Sequence, residues 1–229
     1  MRFPWNGRHE EQFAELREAM VLEQIERRGI TDRTVLDAMR TVPRHFFVPE
    51  SSRADAYADG PLSIGHGQTI SQPYVVASMT EALRLDHRSR VLEVGTGSGY
   101  QTAVLAEIAA RVYSIEILPD LSQRATVLLA RLGYTNIETS VRNGYHGWPE
   151  EAPFDGIIVT AAASHVPPDL LTQMAETGRL VIPVQEYGPE RQDLVLVERT
   201  DGGLKRQVLY QVRFVPLVEE GGLSDNLDP

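Results

Sequence analysis

The run Val91-Leu92-Glu93-Val94-Gly95-Thr96-Gly97-Ser98-Gly99-Tyr100 constrains the fold more tightly than any other stretch of the chain. Val91, Leu92 and Val94 suit a buried strand, Gly95, Gly97 and Gly99 allow backbone conformations closed to other residues, and Ala103 to Ala110 is rich in helix formers. Strand, glycine turn and helix in that order make a nucleotide-binding opening. The backbone can approach a ligand closely, and free N–H groups at the helix start face the ligand's polar atoms. The third glycine stands one residue too early for the Gly-x-Gly-x-x-Gly dinucleotide fingerprint, and Glu93 precedes the first glycine by two residues, so the pattern points away from NAD. Glu116 ends the next expected strand, where a carboxylate can accept from both hydroxyls of a ribose. Two solvated strand ends and a plain turn would explain either feature alone; together they favour a ligand.

Helix and strand alternate around this unit. A helix is expected over 10–28, with Phe13, Leu16 and Met20 on one face and Gly29 as its stop. A second, capped by Thr31 or Asp32, runs to about Arg40 and ends at Val42-Pro43. Pro43, Pro49, Pro61 and several glycines mark 42–67 as an irregular segment that covers a site. Further helices are expected over 73–83, 98–110, 119–131 and 168–175, and strands over 91–94, 111–116, 136–141, 154–160 and 178–184. Residues 193–198 and 206–214 form a closing hairpin around Asp201-Gly202-Gly203. The class is α/β: a doubly wound sheet with an N-terminal helical addition and a C-terminal antiparallel hairpin. One domain spans 1–229, with an addition on the substrate side (1–89), a cofactor-binding core (90–217) and an acidic tail (218–229) expected to be disordered; 1–9 is an unassigned extension.

Composition narrows the function. A formal charge of −10 disfavours a nucleic-acid partner, and no apolar run reaches membrane-spanning length. The chain has no cysteine, which removes thiolate chemistry and cysteine metal sites and suits the cytoplasm, as does the lack of an apolar signal core in 1–10. His66, His146 and His165 have no helical metal-ligand spacing, so no metal is expected, and a monomer is the expected state.

Two motifs carry resemblances. Glu93-x-Gly95-x-Gly97-x-Gly99 resembles the first motif of class I methyltransferases, whose cofactor is S-adenosylmethionine. His66-Gly67-Gln68-Thr69-Ile70-Ser71-Gln72-Pro73-Tyr74, with the glycine motif and Gln101-Thr102-Ala103, closely resembles the protein-L-isoaspartate (D-aspartate) O-methyltransferase family, from about Val42-Pro43-Arg44 to Arg213-Phe214-Val215-Pro216-Leu217. From spacing alone, Ser71 or Gln72 would be the cap of the helix opening at Pro73. The resemblance implies instead that Ser71 is the active-site residue, beside His66, Gln68, Thr69, Ile70 and Gln72 on the substrate side. It also implies cofactor contacts from Glu93, Gly95, Thr96, Gly97, Ser98, Gly99, Tyr100 and Glu116. Thr160, a further cofactor candidate, and Ala161 and Ala162, substrate candidates, follow an expected strand at its carboxyl end, where open α/β sheets bind ligands; a tight structural turn is the alternative. Where the family usually has Gly-Asp-Gly with the carboxylate on adenine, this chain has Arg142-Asn143-Gly144. Asn143 can still accept from the adenine amino group, or it can simply make an Asn-Gly turn.

The implied activity is methyl transfer from S-adenosylmethionine to the free α-carboxylate of L-isoaspartyl (or D-aspartyl) residues in damaged proteins or peptides, starting repair through a succinimide. An aspartyl O-methyltransferase of a dedicated peptide-tailoring pathway and a noncatalytic binding module remain as alternatives.

Overall fold

The structure, a computed structural model, describes residues 8–186 and 191–218. Residues 1–7 of the expected extension over 1–9 and residues 219–229 of the expected tail over 218–229 lie outside the described residues, and residues 8 and 9 open the first helix.

The N-terminal helical segment opens with α1 (Arg8–Ala19) and continues without a break through a π-helical turn, Met20–Ile25, to a 3-10 turn closed by Gly29 at φ +101°. The wide turn buries Met20, Val21 and Ile25, whereas Leu16 is exposed rather than on the buried face expected for it. In α2 (Arg33–Thr41), Asp32 is the cap: its carboxylate accepts from Thr34 N–H at 2.8 Å and Val35 N–H at 3.3 Å. The Glu81 carboxylate accepts from Thr31 and Asp32 N–H, both at 2.8 Å, and so ties this cap to α3 (Pro73–Leu83). The segment between them is less irregular than its prolines suggest. It contains a small antiparallel hairpin, β1 (Leu62–Gly65) and β2 (Gln68–Ile70), turned by Gly65, His66 and Gly67, all at positive φ.

The main sheet has seven strands in the order β5-β4-β3-β6-β7-β8-β9, with ranges β3 (Arg90–Val94), β4 (Arg111–Glu116), β5 (Ile137–Val141), β6 (Phe154–Val159), β7 (Met174–Val184), β8 (Gln192–Thr200) and β9 (Gly203–Val212). β5 through β7 in that order are parallel; β7, β8 and β9 pair antiparallel. Alternation along the strands sends Val91, Val112, Ile158 and Val181 into a core with α2, α3, α4 (Tyr100–Ala106) and α5 (Pro119–Arg131). Leu92, Tyr113, Ile157 and Leu180 enter a second core with Trp148 and Leu170 of α6 (Pro168–Thr172).

Two helices stop earlier than expected, each where a group from elsewhere in the chain takes a carbonyl at its end. The Asn136 side chain donates to Ala106 O at 2.9 Å and Ala109 O at 3.1 Å, ending α4 before 110. Gln173 O accepts from Phe154 N–H at 2.9 Å and Met174 pairs with Phe154, so β7 begins where α6 was expected to continue.

The chain order turns at β3, with β4 on one side and β6 on the other, so the carboxyl ends of β3 and β6 face a common crevice. The cap at α2 is tied through Glu81 to α3, the helix that follows the β1–β2 hairpin at that crevice. Replacing Asp32 by alanine is expected to lower stability by about 1 kcal/mol, read as a reduced urea midpoint with an unchanged m-value; an unchanged midpoint would show that water replaces the cap without loss.

Candidate active site

At this crevice a cavity of about 520 Å³ opens between the glycine turn and the β1–β2 cover. On the sheet side it is lined by Gly95, Thr96, Gly97, Ser98, Tyr100 and Glu116, joined by Gly144, Thr160 and Ala161. On the cover side it is lined by His66, Gln68, Thr69, Ile70 and Ser71. The two candidate sets therefore face each other across one space. Glu93, Gly99, Asn143, Gln72 and Ala162 do not line it.

The turn works by close approach. Gly95 has φ +99°, and a Cβ there would stand 2.3 Å from Thr160 Oγ1. The Thr160 hydroxyl instead donates to Gly95 O at 2.7 Å, and Thr160 N–H donates to Val94 O at 2.9 Å, stitching the ends of β3 and β6. Gly144 is a second cradle: a Cβ would meet Val94 Cγ1 at 2.5 Å and Leu217 Cδ1 at 2.9 Å.

Environment sorts the two glutamates. Glu116 lines the cavity with both oxygens oriented by backbone, Oε2 accepting from Gly97 N–H at 2.9 Å and Oε1 from Leu118 N–H at 3.0 Å. Each oxygen keeps a further lone pair for a ligand hydroxyl. Glu93 is fully buried beneath the turn. Its Oε2 accepts from Thr102 Oγ1 and Ser114 Oγ, both at 2.5 Å, and Ser114 Oγ lies 2.6 Å from Thr96 Oγ1 in the cavity wall. Oε1 is buried without a partner among the described residues. Glu93 is thus linked to the cavity wall through Ser114 and Thr96.

Asn143 makes the Asn-Gly turn. Its Oδ1 accepts from Tyr145 N–H at 3.0 Å, which closes the turn and leaves the oxygen a second lone pair. The cap expected of Ser71 or Gln72 is not made with a side chain. Gln72 holds the cap position of α3 without a side-chain bond, and its amide donates to Asp59 at 2.7 Å. Ser71 sits one residue before it, half-buried in the cavity wall.

Some of the wall was not named as site residues. Val215 to Val218 cross the cavity after β9, held as Ala162 N–H donates to Val215 O and Leu217 N–H to Ala162 O, both at 2.8 Å. Val218, assigned to the tail, belongs to this wall; the only sign of it was that the family resemblance runs on to Leu217. Arg142 also lines the cavity, its guanidinium 4.7 Å from the Trp148 ring centre and bonded to Glu150 at 2.8 Å.

Burial pushes the Glu93 carboxyl up to about 8, more than the Ser114 and Thr102 hydroxyls pull it down, and Glu116 adds to the rise. A carboxyl that holds its proton more tightly folded than unfolded stabilises the fold fully below the unfolded value of 4.5, and that contribution is lost as pH rises toward about 8. Glu93→Gln is expected to remove this component. Measured by urea unfolding at pH 5 and pH 8, the variant should gain on the parent at the higher pH; an equal pH response in both would exclude Glu93 as its source.

Comparison with known proteins agrees with this geometry. The model of the family described as protein-L-isoaspartate(D-aspartate) O-methyltransferase matches residues 15–222. A protein-L-isoaspartate O-methyltransferase of Opitutus terrae is 57% identical over 206 residues, covering 89% of this chain and 87% of the relative. Protein-L-isoaspartate O-methyltransferase 1 of Syntrophobacter fumaroxidans is 54% identical over 210 residues, covering 92% and 97%. Among solved structures, a protein-L-isoaspartate O-methyltransferase superposes with a TM-score of 0.81 at 30% identity, over 89% of this chain and 66% of the other. A Plasmodium falciparum beta-aspartate methyltransferase in complex with S-adenosyl-L-homocysteine superposes with a TM-score of 0.77 at 31% identity, covering 88% and 98%. With its family model spanning most of its length and its glycine turn and Ser71 segment facing one cavity, this chain belongs to the protein-L-isoaspartate(D-aspartate) O-methyltransferase family.

Proposed function

We propose that the protein transfers a methyl group from S-adenosylmethionine to the free α-carboxylate of L-isoaspartyl residues in damaged proteins or peptides, producing an ester that closes to a succinimide and so begins repair. The observation that carries this reading is the single cavity in which the Glu116 and glycine-turn wall faces the Ser71 segment. A hydroxyl-bearing cofactor fits the first wall, since Glu116 is held by two backbone N–H groups with acceptor capacity to spare, and Gly95 and Gly144 leave space that side chains would fill.

S-adenosylmethionine supplies an electrophilic methyl group on a sulfonium. The acceptor needs little activation, because a carboxylate is ionised well below neutral pH. The protein's task is then to bring the acceptor into line and keep water away. Ser71 is suited to this as an orienter: it lines the cavity, and its hydroxyl can donate to one carboxylate oxygen while the other attacks. It is not a nucleophile, and no step requires it to lose its proton. Val215 to Val218 and Ile70 supply apolar cover on the same space, where opposite charges cancel during transfer more readily than in water.

The setting we propose is the cytoplasm, with a monomer acting on proteins rather than nucleic acid. The absence of cysteine and the charge of −10 support it. No helix among the described residues is long and apolar enough to cross a membrane.

Methyl transfer from labelled S-adenosylmethionine to matched isoaspartyl and aspartyl peptides tests the reading. Base-labile label is expected on the isoaspartyl peptide alone; equal labelling of the aspartyl peptide would favour tailoring of ordinary aspartate. Ser71→Ala is expected to lower kcat by about tenfold or more, with affinity for S-adenosylmethionine nearly unchanged in equilibrium binding. Equal turnover in variant and parent would remove Ser71 from the mechanism.

A further inference from the structure

Arg44 is fully buried, yet no carboxylate among the described residues pairs with it. It follows Pro43 in a 3-10 turn, Arg44–Phe46, beneath the cavity cover. Its Nε donates to Ala56 O at 2.8 Å and its Nη2 to Ser71 O at 2.7 Å. Nη1 is buried without a hydrogen-bond partner, and the guanidinium carbon lies 4.7 Å from the centre of the Tyr100 ring. A guanidinium stays charged in such a place, and burying it without a counter-charge is costly, so packing alone does not account for an arginine here.

What it touches suggests its use. β2 ends at Ile70 and α3 begins at Pro73, so the Ser71 carbonyl belongs to neither ladder, while the first turn of α3 closes on Gln72 O. The Arg44 fork is the tie that fixes this peptide. The guanidinium carbon also lies over the ring of Tyr100, which opens α4 directly after the glycine turn and lines the cavity from the cofactor side. One planar cation therefore spans the two walls that must stay in register.

We propose that Arg44 is a positioning residue: by holding the Ser71 carbonyl while lying over the Tyr100 ring, it sets the Ser71 hydroxyl relative to the cofactor-side wall. This rests on the function proposed above, since Ser71 must act for its placement to matter. Lysine would keep the charge but lose the fork that reaches Ala56 O and Ser71 O together.

The test compares parent, Arg44→Met, Arg44→Lys, Ser71→Ala and the double variant R44M/S71A. Arg44→Met is expected to lower kcat on an isoaspartyl peptide by about tenfold or more, with the dissociation constant for S-adenosylmethionine within about twofold of the parent and Arg44→Lys intermediate. In the Ser71→Ala background the same change should cost less than about twofold further, because both losses pass through one hydroxyl. Amide exchange over 68–72 should be faster in Arg44→Met even without substrate. Losses that multiply in the double variant, or unaltered exchange over 68–72, would overturn the assignment. If Arg44→Met fails to unfold cooperatively, Arg44→Lys carries the same two comparisons. A parent that methylates no isoaspartyl peptide would count against the proposed function, while the exchange measurement would still decide whether Arg44 holds the segment.

Discussion

The end of β3 passes the end of β6 so closely that a single methyl group at Gly95 would collide with Thr160. Cavity, cofactor wall and cover all take their positions from that approach. The Thr160 hydroxyl bonds to Gly95 O, Gly95 N–H donates to Ile115 O at 2.8 Å, and Thr160 N–H reaches Val94 O, so three parallel strands end at one tied point. Beyond that point the backbone turns away, and the Gly97 N–H orients Glu116. A glycine turn of this kind is rigid because its permissive residues are held by neighbours, not because glycine itself is stiff.

The strand-turn-helix unit was legible because each of its requirements leaves a mark in composition: apolar residues for a buried parallel strand, alternate glycines for positive φ, and small helix formers afterward. The same holds for α3, α5 and the closing hairpin, where Pro73, Pro119 and Asp201-Gly202-Gly203 punctuate clear periodicity. The β1–β2 hairpin left weaker marks. Its strands are short and its turn places a histidine, His66, at φ +53°, so proline and glycine content read as irregular chain. The early stops of α4 and α6 could not be read locally, because the groups that end them, Asn136 and Phe154, arrive from distant parts of the sequence.

Residue type alone placed Glu93 and Glu116 on equal terms, each a carboxylate beside the glycine turn. Their difference comes from tertiary surroundings. Glu116 meets backbone donors and an open cavity, whereas Glu93 meets only side-chain hydroxyls and apolar walls, so it is driven toward its protonated form. Glu93 therefore supports the turn from below through Ser114 and Thr96, two hydroxyls whose spacing in sequence gives no hint of their contact. Asn143 shows the reverse case, in which a local rule prevails. An asparagine before glycine makes its own turn, and Gly144 and Arg142 beside it line the cavity.

The start of α3 explains why Ser71 is not spent on capping. A helix opens with unsatisfied N–H groups, but proline at the first position removes one of them, and the Gln72 carbonyl accepts from Val75 N–H at 3.0 Å and Val76 N–H at 3.2 Å. The demand for a side-chain acceptor is reduced, and Ser71, standing one residue outside the helix, is left to the cavity. Its backbone has been handed to neither β2 nor α3, which is what makes an external tie necessary. A freely rotating peptide would let the hydroxyl sample orientations useless to an in-line reaction, whereas a peptide fixed at its carbonyl confines the hydroxyl to a few staggered positions. The sequence segment that looks least structured, from Pro43 to Ser71, thus supplies the cover of the cavity and holds both Ser71 and the Arg44 fork proposed to fix it.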